Sequence, residues 1–500
     1  MAGSSKLAVI CALAVAALAA APSTAAAARP NIIVVVTDDQ TLGMLGGPVM
    51  PKTRRLLARR GTTFTQAIVS TPQCCPSRAA LLTGQYAHNN KVVANRPGYP
   101  LLDRKRQVLP AWLRASGYRT IHIGKFLNGY TGAAGFDPAP GWDTWRTVAA
   151  ADYQNPVFSI NGRKRGPQPV YLTTELNRMA RGVIRARAPR RQPFYLQIDH
   201  LAPHIGSGDE RGRCRGAAVP RAKDVAKFIR TPFPRTPATE ESDLSDKPEF
   251  IQRQPPVSAE EWEAIDRRYA CALGSLREVD RGVGTLISEL RRAGELRRTM
   301  ILFTSDNGYS FAEHRVQLTK GMTYEEHLRV PFIVRPPRGA GIGKRFRRGA
   351  RLADPVANID IAPTLLDLAR AEPCVGGRCR RMDGRSLLPL LRGRDRAWTD
   401  TRAIRTSFDI NFGFAVRSCM WDGLRTPSTT LVEHTSVPLV GGSACREASQ
   451  FELYDLEADP FQLQGDLPVP EALVARLDSL RRCSGIPRRD RPLKARPYCE

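Results

Sequence analysis

Beyond its first 28 residues this 500-residue chain has no apolar run long enough for a bilayer span of roughly 20 residues, so stable membrane insertion is not expected. No Cys-x-x-Cys pair stands near histidines, which removes the usual spacing of a zinc site. Aromatic-interleaved basic stripes and nucleic-acid motifs are missing as well, and no nucleic-acid partner is expected. There is no internal repeat. With 42% hydrophobic and 25% charged residues, the composition also argues against disorder and against collagen-like structure.

What is there begins with a leader pattern. Lys6 precedes an apolar stretch from Leu7 to Ala21, Pro22 breaks it, and small residues follow from Ser23 to Ala28. That layout predicts a signal peptide removed near Ala28 and a secreted or cell-envelope protein. An uncleaved anchor is the rival, with a stretch short for a span. In an oxidising compartment the cysteines gain meaning. Cys11 leaves with the leader and Cys74 and Cys75 belong to a motif described below. The others are Cys214, Cys271, Cys374, Cys379, Cys419, Cys445, Cys483 and Cys499. Pairing neighbours gives 214–271, 374–379, 419–445 and 483–499, one of about 105 connectivities. The net charge of +27 suits polyanions such as sulfated glycans. Arginine is spread along the whole chain, so a compositional bias explains the charge at least as well.

Four short apolar runs end in polar residues: Asn31 to Val36, Tyr118 to Ile123, Phe194 to Ile198 and Met300 to Thr304. Runs without alternation suit strands covered on both faces. Helical patterns lie between them at Pro51–Arg60, Val108–Ser116, Leu172–Ala186 and Ala259–Ala293. The alternation predicts an α/β fold, a large and mostly parallel sheet sandwiched by helices. A catalytic domain is expected over 29–370, with 206–256 as a surface excursion. A smaller C-terminal α+β domain is expected over 371–500, with strand-like pieces at Phe412–Val416 and Thr430–Glu433 and a helix at Glu471–Arg482. Ligands bind beyond the carboxyl ends of such strands. Asp38 and Asp39, Lys125, His204, and Asp306 with Asn307 all fall there.

In Cys74-Cys75-Pro76-Ser77-Arg78-Ala79-Ala80-Leu81-Leu82-Thr83-Gly84, Pro76 suits the first turn of a helix and Gly84 its end. Cys74 then sits just ahead of a helix N-terminus that favours anions, and Arg78 lies one turn on, able to hold an oxyanion. Asp38, Asp39, Asp306 and Asn307 offer the oxygen ligands that a hard cation takes.

This run resembles the sulfatase signature C-x-P-S-R-x-x-x-L-T-G at every fixed position, and the resemblance extends over nearly the whole mature chain. It implies an alkaline phosphatase-like fold, and a formylglycine made from Cys74 by a formylglycine-generating enzyme. It implies one divalent ion, Ca2+ or else Mg2+, on Asp38, Asp39, Asp306, Asn307 and the modified Cys74. It further implies that Lys125 and Lys320 contact sulfate and that His204, in Ala202-Pro203-His204, protonates the leaving oxygen; His200 is a nearby competitor. Hydrated formylglycine would attack sulfur with one hydroxyl and expel sulfate with the other. Where many sulfatases have a histidine two residues after the lysine, this chain has Leu127, with Asn128 next to it. Gly124-Lys125-Phe126-Leu127-Asn128 is similar to the form in glucosamine-6-sulfatases and extracellular heparan endosulfatases. The expected activity is hydrolysis of aryl or carbohydrate sulfate monoesters. The alternatives are a phosphomonoester, phosphodiester or phosphonate hydrolase on the same site, or a non-catalytic binder of sulfated glycans if Cys74 stays unmodified.

Overall fold

The computed structural model describes residues 29–188, 192–209, 212–338, 346–394, 398, 402–409, 419–438 and 445–500. The expected leader, 1–28, and the strand expected at Phe412–Val416 lie outside them. Ten strands form one sheet, in the order Ala350–Leu352, Thr62–Phe64, Phe332–Arg335, Thr299–Ser305, Asn31–Asp38, Phe194–Pro203, Arg119–Gly124, Thr144–Ala150, Val157–Ile160, Arg163–Arg165. The five strands from Thr299–Ser305 to Thr144–Ala150 are mutually parallel, and antiparallel pairs flank them.

The central strand shows why its sequence does not alternate. Ile32, Val34 and Val36 enter one core with Trp112 and Leu365, from helices Leu109–Ala115 and Ile361–Ala369. Ile33 and Val35 enter a second core with Leu176 and Leu276, from helices Leu172–Arg187 and Ala259–Arg292. Both faces are therefore apolar, as a helix-covered sheet requires. The long Ala259 helix starts at a capping box, Ser258 with Glu261.

The helix expected over Pro51–Arg60 breaks instead at Leu57, giving Pro51–Leu56 and a 3-10 turn, Ala58–Arg60. The Phe194 strand runs to Pro203, further than its apolar residues indicate, because Asp38 pairs with Pro203 after a bulge. The segment 206–256 is anchored rather than loosely draped. Leu244, Phe250 and Ile251 are buried, Lys247 is buried between Glu241 and Asp246, and Cys214 is joined to Cys271 on the long helix.

A second, antiparallel sheet contains Ile404–Phe408, Trp421–Arg425, Thr429–Pro438 and Cys445–Asp455. Leu477 and Leu480 of helix Glu471–Arg482 pack on it. All four neighbour disulfides form: 214–271, 374–379, 419–445 and 483–499. Cys74 and Cys75 are free thiols.

Candidate active site

Strand register carries the polar residues to one edge. Val36 is level with Asp199 and with Thr304, and Gly124 is level with Asp199. Asp38, Lys125, His204 and Asp306 follow at the ends of these strands. Close approach is possible at Gly124 only because it lacks a Cβ, which would stand 1.9 Å from the Asp199 carbonyl oxygen. Asp39 takes a left-handed backbone, φ 65°, which turns the chain back over the sheet edge.

Above this edge lies helix Cys74–Thr83, wholly buried, with Gln73 as its N-cap and Gly84 in the left-handed conformation at its end. Cys74 is thus the first helical residue rather than the one before it. The Cys74 thiol donates to Asp38 Oδ1 at 3.4 Å and accepts from Lys320 Nζ at 2.8 Å. Burial, aided by the Asp38 carboxylate, pushes the thiol up to about 12. The Lys125 ammonium pairs with Asp38 and that of Lys320 with Asp39.

Arg78 is bound among three carboxylates. Its Nε donates to Asp306 at 2.8 Å, Nη1 to Asp199 at 3.1 Å and Nη2 to Asp38 at 3.3 Å. Nη1 also donates to the Lys125 carbonyl at 3.1 Å. A guanidinium bound in this way positions the carboxylates around it. Burial works against the Asp38 carboxylate, yet Lys125, His204 and Arg78 hold it well below the usual range. Asp306 goes the other way, up to about 6, through burial and the neighbouring Asp38 charge.

His204 Nε2 lies 3.7 Å from Asp39 Oδ2, and its Nδ1 meets the Ile205 carbonyl at 2.5 Å. The Nδ1–H donates there, leaving Nε2 turned toward the carboxylates. Burial lowers its pKa, while Asp38 and Asp39 oppose the shift. His200 does not reach this group of side chains. It is fully buried, and burial pulls its pKa down to about 4.

The donor set fits a hard cation. Oxygens of Asp38, Asp39 and Asp306 and the Cys74 sulfur all lie within 4.8 Å of one another. Asn307 Nδ2 donates to Asp39 at 2.6 Å, but Asn307 Oδ1 is buried with no hydrogen-bond partner among the described residues. Buried acceptors are rarely left so. A cation ligated there by oxygens would satisfy it.

Two participants escape a sequence reading. Asp199 accepts from Arg78 and pairs with His122 Nε2 at 2.9 Å, while His122 Nδ1 meets Thr147 at 2.8 Å. Both sit inside strands, where only pairing register reveals that they face the site. Leu127, at the position of the missing histidine, is a core side chain packed in the first hydrophobic cluster. The neighbouring Asn128 lines a cleft of about 500 Å³ beside Lys125.

Residues 30–371 match the sulfatase family model, and residues 312–472 match the model for the N-sulphoglucosamine sulphohydrolase C-terminal region. Human N-acetylglucosamine-6-sulfatase is 32% identical over 73% of this chain and 64% of its own length. The extracellular sulfatase SULF-1 homolog of Drosophila melanogaster is 31% identical over 75% of this chain and 33% of its own. The chain thus spans less than two thirds of the length of these relatives. A protein solved with its substrate D-glucosamine-2-N,6-O-disulfate shares the fold, with a TM-score of 0.69 at 23% identity over 90% of this chain and 97% of the other. So does the phosphonate monoester hydrolase of Agrobacterium radiobacter, with a TM-score of 0.65 at 23% identity over 90% and 94%. With the signature helix, the sheet-edge carboxylates and a family model matched along most of its length, the chain belongs to the sulfatase family.

Proposed function

We propose that the protein hydrolyses sulfate monoesters through a formylglycine made from Cys74, with one divalent cation, calcium in preference to magnesium, held beside it. One observation carries the reading. The Cys74 sulfur, two ammonium groups, three carboxylates and an unsatisfied carboxamide oxygen converge at one buried sheet edge.

The aldehyde hydrate supplies an attacking hydroxyl and a second one for releasing sulfate, while a cation on Asp38, Asp39, Asp306 and Asn307 supplies Lewis acidity. The other roles fall to the chain's own side chains. Lys125, paired with Asp38, and Lys320, bonded to the Cys74 sulfur, balance the charge of a sulfate placed there. Arg78 fixes the three carboxylates it binds. His204, oriented by its Nδ1–H bond, presents Nε2 to the leaving oxygen as the proton donor. An anionic substrate adds to Asp38 and Asp39 in favouring the imidazolium that this step needs.

The relatives named N-acetylglucosamine-6-sulfatase favour a 6-O-sulfated glucosamine as substrate, within a sulfated glycan or as a small sugar. Export through the leader, maturation by a formylglycine-generating enzyme, and a catalytic domain over 29–370 followed by a smaller one over 371–500 belong to the same reading. Among the described residues no helix is long and apolar enough to cross a membrane.

Mass spectrometry of the tryptic peptide Gly61–Arg78 from the natural host tests the nucleophile. Conversion of Cys74 to the lighter aldehyde supports the reading, and an unmodified thiol supports the glycan-binder alternative. Steady-state rates on an aryl sulfate, an aryl phosphate and a phosphodiester test the reaction. Faster turnover of a phosphate ester overturns it in favour of phosphoryl or phosphonate chemistry.

A further inference from the structure

The cleft beside Lys125 has three walls: Asn95–Pro97, Lys125–Thr131, and the strand segment from Thr147 to Ala151. Each is tied to the catalytic groups. The Asn95 N–H donates to Gln73 Oε1 at 2.9 Å, and Asn95 Oδ1 accepts from the Cys75 N–H at 2.8 Å. The second wall, which begins at Lys125, packs backbone on backbone against the first. A Cβ on Gly129 would stand 2.1 Å from the Pro97 carbonyl oxygen, and one on Gly98 2.4 Å from that of Asn128. The third wall continues into Asp152 and Tyr153, which hold the His204 turn. Tyr153 Oη donates to the His204 carbonyl at 2.8 Å, and Ser207 Oγ donates to Asp152 at 3.0 Å. A rigid trough therefore leads from Lys125 along the side where His204 would protonate a leaving group.

Two groups in this trough are unspent. Arg96 is exposed on its wall and makes no hydrogen bond or ion pair among the described residues. Many other arginines near the site are paired, Arg78 among them. Tyr130, only 2% exposed, has a buried hydroxyl with no hydrogen-bond partner among the described residues. An unpaired guanidinium and an unmet hydroxyl in one cleft are the complement of an oxyanion with a neighbouring hydroxyl.

We propose that this cleft is a subsite for a second anionic group on the substrate, bound by Arg96 with Tyr130 beside it. The inference rests on the sulfatase reading and makes it more specific: the enzyme selects a sugar with two anions over one bearing only the scissile sulfate. The second anion is either an N-sulfate on the same ring or the carboxylate of an adjoining uronate; both offer a planar or near-planar pair of oxygens to a guanidinium.

The test compares wild type with Arg96→Gln and Arg96→Lys on glucosamine 6-sulfate, glucosamine 2-N,6-O-disulfate and a uronate-containing 6-O-sulfated disaccharide. Wild type is expected to favour one doubly anionic substrate by at least about tenfold in kcat/KM. Arg96→Gln should erase most of that preference through KM, and Arg96→Lys should restore part of it. The favoured substrate identifies the anion. Equal kcat/KM for all three substrates in wild type overturns the proposal, as does an equal loss on all three in Arg96→Gln. Calorimetric binding of the same sugars to Cys74→Ser, which has no aldehyde, separates the two levels. Arg96-dependent binding without turnover rejects the sulfatase reading and retains the subsite, whereas turnover of glucosamine 6-sulfate without Arg96-dependent binding does the reverse.

Discussion

The ammonium nitrogen of Lys320 stands 2.8 Å from the sulfur of Cys74 while also pairing with Asp39. It therefore touches both the proposed nucleophile and the carboxylate cluster beside it. Lys320→Met keeps the length of the side chain and removes its charge. Loss of one preorganised donor of this kind lowers kcat by about 10²–10³-fold. The same fall is expected here on an aryl sulfate, with KM changed much less. A drop confined to KM would assign Lys320 to ground-state binding instead.

Unconverted Cys74 should be chemically quiet. Burial and Asp38 push its thiol up to about 12, so almost none is thiolate at neutral pH. Iodoacetamide at pH 8 should leave it unlabelled in the native, unconverted protein and label it after unfolding. Rapid labelling of the native protein would refute the buried, protonated state.

The carboxylates and Asn307 Oδ1 predict a metal-dependent protein. Dialysis against a chelator should abolish sulfatase activity and lower Tm, and calcium should restore both. Asn307→Leu should weaken calcium binding and reduce the calcium-dependent gain in Tm, a readout independent of turnover. A Tm indifferent to both chelator and calcium would dismiss the cation site.

Acid sensitivity should come in part from His88. Its Nδ1 accepts from Arg405 Nη1 at 2.9 Å and its Nε2 meets the Cys483 carbonyl at 2.9 Å. This arrangement needs a neutral ring with the proton on Nε2. Burial first, and Arg405 second, take its pKa from 6.5 down to about 3. A folded pKa below the unfolded value means that the stability is present above pH 6.5 and is lost as pH falls toward 3. The slope over that window is at most about 1.4 kcal/mol per pH unit. His88→Gln should flatten the dependence of stability on pH between 6.5 and 4, measured by urea unfolding. An unchanged slope would place the acid sensitivity elsewhere.

Cys214–Cys271 closes a loop with a sequence separation of 57 and ties the Pro- and Arg-rich segment to the long helix. Chain-entropy reasoning assigns such a link about 4 kcal/mol. Replacing both cysteines by serine should lower urea-measured stability by an amount of that order and expose 206–256 to proteolysis first. Unaltered protease resistance of this segment would show that Lys247 and its apolar neighbours hold it unaided.

Much of the fold was legible because its signals are local. Four unalternating apolar runs announced the parallel strands, and each half-cystine paired with its neighbour in sequence, the simplest of the possible connectivities. Lys125 and His204 meet Asp38 and Asp39 at one edge because strand ends do. What stayed hidden depends on register. Asp199 and His122 lie within strands, and nothing in their surroundings in sequence marks them as facing the site. The three carboxylates around Arg78 are likewise brought together only by the fold. The continuation of the Phe194 strand to Pro203 rests on a bulge opposite Asp38, which apolar content cannot signal.

The signature helix carries a final consequence, one of timing. Cys74 is 1% exposed, and every residue from Cys74 to Thr83 is buried beneath other elements. An enzyme that oxidises this thiol has to surround it, and the finished sheet leaves no room to do so. On the proposed reading the modification has to reach the nascent or still unfolded chain, and a molecule that folds first forfeits its nucleophile. Under that proposal folding and oxidation compete, and the ratio of their rates sets the fraction of each batch that is active.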